Sequence, residues 1–130
     1  MGKKILIIED NPLNRELMMT VLKARGYELE ALEDARGAVD KIKEFKPDLL
    51  LLDIMLPGID GLTLTGDIRN DPETEDLKII AVTAYAMRGD RERIIEAGCD
   101  GYISKPVDTR KLPGQIEEYL SGGEAVSEDI

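Results

Sequence analysis

With 130 residues, the chain has the size of one ordinary domain and leaves no room for a second catalytic or output domain. Its 27 acidic residues against 17 basic ones give a formal net charge of −10, a field that repels nucleic acid and anionic lipid and argues against DNA binding. Histidine is absent, which excludes Ser-His-Asp and Cys-His catalysis, histidine-ligated zinc and phosphohistidine chemistry on this chain, so any chemistry must come from carboxylates, hydroxyls, lysines or a hard metal.

The first apolar run, Lys4–Ile8, predicts a strand. Leu13, Leu17, Met18, Val21 and Leu22 follow at the i, i+4, i+5 spacing of a helix with one buried face, read here as core, and Gly26 closes it as a left-handed C-terminal residue. A second strand is expected over Glu28–Leu32, then a helix over Ala35–Phe45 that stops before Pro47, because a residue preceding proline avoids helical geometry. The third strand, Leu49–Leu52, lacks any polar alternation, so both its faces should be covered, as at the centre of a parallel sheet flanked by helices. A helix over Leu62–Asn70, a strand over Ile79–Val82, a helix over Met87–Ala97 and a strand over Gly101–Ser104 continue the βα repeat. Thr109–Leu112 is expected as a tight turn. The last helix runs over Pro113–Leu120, with its proline tolerated only in the first turn. This gives an α/β domain over residues 1–120, with right-handed crossovers, and a flexible tail over 121–130 marked by paired glycines and few apolar residues.

No apolar run approaches the ~20 residues of a membrane span, and Met1-Gly2-Lys3-Lys4 passes straight into a strand rather than a signal-peptide core, so a cytoplasmic location is expected. Cys99, the single cysteine, has no partner for an intrachain disulfide and is expected to pack as a small apolar residue.

In an open parallel sheet, functional groups collect beyond the carboxyl ends of the strands. Here those ends carry Glu9-Asp10, Asp53, Thr83 and Lys105. Any one of them could simply mark where a buried strand reaches water. Three neighbouring carboxylates, however, raise one another's proton affinity unless a cation compensates. Oxygen-only ligands favour Mg²⁺, which takes one or two carboxylates together with phosphate oxygens, so a magnesium-dependent phosphoryl site is expected. Within it, Asp53 is the candidate nucleophile, which would form an acyl phosphate by in-line attack on a phosphoryl donor. Asp10 would bind the metal directly and Glu9 through water, while Lys105 and Thr83 would pair with the phosphoryl oxygens. Pro106 could set a cis peptide after Lys105, although the trans bond is the commoner.

Ile5–Asn11 (ILIIEDN), Leu49–Gly61 (LLLLDIMLPGIDG), Val82-Thr83-Ala84 and Tyr102–Pro106 (YISKP) together resemble the response regulator receiver family over about Lys3 to Leu120. The resemblance implies a flavodoxin-like, doubly wound five-stranded parallel sheet in the order 2-1-3-4-5. It implies Asp53 as phospho-acceptor, and Glu9, Asp10, Asp53 and the carbonyl of Met55 around Mg²⁺. Thr83 would be the switch hydroxyl, Lys105 the phosphate-binding lysine and Tyr102 the switch aromatic. The donor would be a phosphohistidine on a sensor histidine kinase or histidine phosphotransfer protein, which agrees with a chain that lacks histidine. Asn11–Arg15 and Val107–Arg110 with Leu112-Pro113 are similar to single-domain regulators of the DivK type and to receivers attached to hybrid kinases.

The family's usual output face, built from the fourth helix, fifth strand and fifth helix, is where a downstream protein is expected to dock, with Arg88, Arg91 and Arg93 as a basic patch. A monomer or weak dimer is expected. Met55 and Tyr85 would tune water access to the acyl phosphate, and Gly58 and Gly61 would serve turns around Asp60. The leading reading is a switch that modifies itself rather than a turnover enzyme. One alternative, an aspartyl-phosphate phosphohydrolase, needs a second acid two residues after its nucleophile, and Met55 stands there instead. Another, a flavin carrier, needs a Ser/Thr-rich phosphate loop where Glu9-Asp10 would repel the phosphate. An unphosphorylated scaffold receiver is the third.

Overall fold

The computed structural model describes residues 2–54, 61–84 and 88–121. Five strands alternate with five helices: β1 (Lys4–Ile8), α1 (Pro12–Lys23), β2 (Glu28–Leu32), α2 (Ala38–Phe45), β3 (Leu49–Asp53), α3 (Gly61–Arg69), β4 (Lys78–Thr83), α4 (Arg88–Glu96), β5 (Gly101–Ser104) and α5 (Leu112–Leu120). All pairings are parallel, in the order β2-β1-β3-β4-β5. The expected doubly wound sheet is therefore present.

Period-2 alternation sorts the strand side chains onto two faces. Leu6, Ile8, Leu50, Leu52, Ile79, Ala81 and Tyr102 pack with Ile42 of α2, Leu64 and Ile68 of α3, and Ile94 of α4. Ile5, Ile7, Leu49, Leu51, Ile80, Val82 and Ile103 pack with Met18 and Leu22 of α1 and Leu112, Ile116 and Tyr119 of α5. Leu49 to Leu52 are wholly buried, so β3 is covered on both faces, as its unbroken apolar run predicts.

Local chemistry sets the element ends. The Asn11 side chain accepts hydrogen bonds from the Leu13 and Asn14 amides, and Pro12 occupies the first turn of α1, where its missing N–H costs nothing. Gly26, with φ 88, ends the segment after α1 as expected, and Pro113 lies in the first turn of α5.

Two expectations need correction. The second helix begins at Ala38 rather than Ala35, because Asp34 accepts from the Arg36 amide and Gly37 takes φ 69, a left-handed geometry that delays helical winding. On α1, Met18 and Leu22 are core, but Leu13 is 81% and Leu17 46% exposed. At about 100° per residue the five apolar positions span roughly half the helix circumference, more than one sheet face covers.

Among the described residues, no helix is long and apolar enough to cross a membrane. Cys99 is buried with its sulfur 3.7 Å from the Thr65 hydroxyl, and burial pushes its thiol up to about 11, consistent with a packing role.

Candidate functional site

The parallel register decides which side chains meet. Ile8 of β1 pairs with Leu52 of β3, so the next residues along the two segments, Glu9 just past β1 and Asp53 at the last position of β3, arrive side by side. Thr83 pairs with Ser104 at the ends of β4 and β5, and the Lys105 amide then donates to the Thr83 carbonyl at 2.8 Å, carrying Lys105 over the same edge. The Lys105–Pro106 peptide bond is cis.

Carboxylate oxygens of Glu9, Asp10 and Asp53 all lie within 4.8 Å of one another, with Glu9 and Asp53 buried and Asp10 exposed. The Lys105 ammonium donates to Asp53 Oδ2 at 3.1 Å and stands 3.0 Å from Glu9 Oε1. That second contact is an ion pair rather than an aligned hydrogen bond, and Oε1 is otherwise an orphaned acceptor in the protein interior. Thr83 is buried at the same edge. The structure thus gathers Glu9, Asp10, Asp53 and Lys105 into direct proximity and places Thr83 beside them.

The electrostatics are unbalanced. Burial raises the Glu9 carboxyl to about 7, and the neighbouring Asp53 adds to the rise, against the lowering influence of Lys105 and the Asn11 amide. Burial alone would lower the Lys105 ammonium, but its close contacts with Glu9 and Asp53 and their negative charge outweigh it and raise the group. Among the described residues, this cluster of three carboxylates with one ammonium carries an excess of two negative charges when all are ionised, which is the charge of one divalent cation. Among the described residues, the donor set is all oxygen, with a buried Glu9 oxygen that lacks a hydrogen bond, which fits Mg²⁺ and includes no soft ligand for zinc or copper.

Residues outside the obvious strand ends hold this arrangement in place. The Asn11 amide donates to Glu9 Oε2 at 3.1 Å and the Arg15 guanidinium donates to the Glu9 carbonyl at 2.8 Å, so the first turn of α1 fixes the acidic pair. Sequence reasoning missed both. Asn-Pro ahead of an apolar helix is a capping signature that could have found Asn11, whereas Arg15 carries no local signal.

Tyr102 is 3% exposed, with its ring among the apolar side chains under α4 and its hydroxyl accepting from Arg91 at 3.2 Å. Two of the three arginines expected as a basic patch are placed differently. Arg91 turns toward Tyr102 while Arg93 is exposed, because residues two apart on a helix point in different directions. The Arg88 side chain, Met55, Gly58, Asp60 and Tyr85 fall outside the described residues. Gly61 lies inside them, and a Cβ there would come within 2.8 Å of the Ile54 Cα, so the close approach of α3 to the end of β3 requires glycine.

A family model described as the response regulator receiver domain matches residues 5–117. The chain belongs to the response regulator receiver family. It is 42% identical to the polar-differentiation response regulator DivK of Brucella anthropi over 120 residues, covering 92% of this chain and 98% of that one. Among solved structures it is similar to the receiver domain of a Pseudomonas aeruginosa sensor histidine kinase that has a magnesium ion coordinated in its active-site cleft, with 33% identity, a TM-score of 0.84, and 94% and 100% of the two chains covered. A CheY-like receiver domain protein from Methanospirillum hungatei matches at 33% identity and a TM-score of 0.84, over 93% of this chain and 95% of that one. The resemblance read from the sequence is borne out. This receiver is a two-component signalling regulator rather than a metabolic enzyme, of a kind that works with histidine kinases or phosphotransfer proteins.

Proposed function

We propose that this receiver is a magnesium-dependent phosphoryl switch in which Asp53 accepts a phosphoryl group from a phosphohistidine on a partner kinase or phosphotransfer protein. The observation that carries the reading is the convergence of three carboxylates within 4.8 Å, two of them buried and in reach of one lysine ammonium. Asp10 and Asp53 would hold Mg²⁺ directly, with Glu9 through water and the Met55 carbonyl as a further ligand. The bound ion would neutralise charge shared by the carboxylates and the phosphoryl oxygens.

An oxygen of the Asp53 carboxylate attacks phosphorus in line, the nitrogen–phosphorus bond of the donor breaks, and the imidazole leaves with the bonding electron pair. Lys105, now bound to Asp53, exchanges that contact for a phosphoryl oxygen, and Thr83 donates its hydroxyl to another. Glu9 and Lys105 keep the carboxylate oriented for attack. The product is a modified aspartate, and the chain completes no catalytic cycle on a diffusible substrate. Leu13 and Leu17, exposed on α1 next to the acidic pair, form an apolar ridge suited to the donor's surface. The face made by α4, β5 and α5, with Tyr102 at its centre, is the proposed route to a downstream protein.

The test is intact-mass spectrometry after incubation with a small phosphodonor and Mg²⁺. A phosphate-sized adduct on the wild type, missing from Asp53→Asn and lost on chelation, is the expected result; no adduct on the wild type overturns the proposal.

A further inference from the structure

Tyr102 and Thr83 share one face of the sheet. Tyr102 pairs with Ala81, Thr83 with Ser104, and residues two apart along a strand point the same way, so the ring lies on the face covered by α4. Ile94 of α4 packs in the same apolar cluster, and Arg91 lies three positions before it, in the first turn of α4. Its guanidinium donates to the Tyr102 hydroxyl at 3.2 Å with its carbon 6.0 Å from the ring centroid. One planar cation thus serves both the polar tip and the π-system of a buried tyrosine. A lysine ammonium, as a point charge, does not cover both at once. Both groups belong to the polypeptide, so the contact forms without any ligand.

We propose that Arg91 is a positioning residue for Tyr102: its guanidinium makes the inward rotamer the ring's default and ties that rotamer to the position of α4. The second consequence rests on the phosphoryl-switch reading of Asp53. When Thr83 is drawn toward a group on Asp53, volume opens on its face of the sheet. A ring already held inward occupies that volume, whereas a ring free to swing outward must first be ordered. Arg91 therefore favours uptake at Asp53 although it touches none of the reacting atoms.

The experiment uses the full chain with labelled tyrosine, Tyr102 being assigned through Tyr102→Phe, and measures its χ1 by three-bond NMR couplings. Wild type should show one inward rotamer, Arg91→Ala rotamer averaging and Arg91→Lys an intermediate population. Titration with beryllofluoride and Mg²⁺ should then show affinity weakened roughly three- to tenfold in Arg91→Ala, the size of one hydrogen bond or cation–π contact. A purely structural arginine would lower the melting temperature while leaving χ1 fixed, and a fixed χ1 in Arg91→Ala overturns the proposal. Should that variant fail to fold, Arg91→Gln, which keeps a donor but not the charge, supplies the same readout. Failure of wild type to bind beryllofluoride would count against the reading of Asp53 alone, because the rotamer measurement needs no ligand.

Discussion

The two ends of the sheet treat charge in opposite ways. At the amino ends of the strands Asp48, Asp71, Glu73 and Asp100 each meet a donor. Asp48 accepts from the Lys4 amide, Asp71 and Glu73 share Lys43, and Asp100 accepts both from Arg69 and from the Ile79 amide. Arg69 also donates to the carbonyls of Gly98, Glu75 and Leu77, lashing α3 to the approaches of β4 and β5. At the carboxyl ends, Glu9, Asp10 and Asp53 crowd together, and one ammonium, that of Lys105, reaches both Glu9 and Asp53. The contrast is visible in proton affinity: Lys43 holds the Asp71 carboxyl below its usual range, while burial drives Glu9 upward. A satisfied network marks an end that holds the fold together, and the over-acidic end is the one where the proposed cation would sit.

Substitutions should separate the two ends. The largest effect is expected from Asp53→Asn, which should cut phosphoryl uptake about a hundredfold or more with the fold retained, as read by intact mass and circular dichroism. At the other end, Arg69→Ala removes four hydrogen bonds, three of them to backbone carbonyls, and should cost about 2–4 kcal/mol in urea unfolding without changing uptake by the folded fraction. If uptake fell with stability, the two ends would not be independent.

A smaller effect belongs to pH. With divalent ions chelated, folded Glu9 keeps its proton up to about 7, whereas the unfolded chain releases it near 4.5. Between those values the folded state binds the extra proton, so stability is full below 4.5 and declines as pH rises through about 7. Urea midpoints at pH 5 and pH 8 measure this, and Mg²⁺ should flatten the difference because a cation favours the ionised carboxylate. The smallest change is expected at Lys46, the only described non-glycine residue with positive φ, at 55. Lys46→Gly should relieve left-handed strain and add about 0.5–1 kcal/mol in thermal unfolding, leaving the site untouched.

Much of this organisation was legible in the residues. The apolar runs placed every strand to within one residue, because β-rich segments bounded by polar residues leave little choice of register in a parallel sheet. Glu9, Asp10, Asp53, Thr83 and Lys105 were legible because topology alone puts strand ends together. Where reading failed, the deciding fact was three-dimensional. Leu13 and Leu17 look as apolar as Met18, yet only the placement of α1 on the sheet determines which part of the stripe is covered. Arg15 and Arg91 look like ordinary helix-surface cations, and nothing local says that one reaches the Glu9 carbonyl and the other the Tyr102 hydroxyl. The start of α2 was misplaced because Gly37 could continue or interrupt the helix, and the Asp34 turn decided for interruption.

The burial of Cys99 has a practical side. A thiol sealed beneath α3 and held mostly protonated at neutral pH will react slowly with maleimides and iodoacetamides. A fluorophore or spin label directed to an engineered surface position such as Arg93→Cys would therefore attach at one place, and the native sequence supplies a single-site reporter background for following α4 without further mutation.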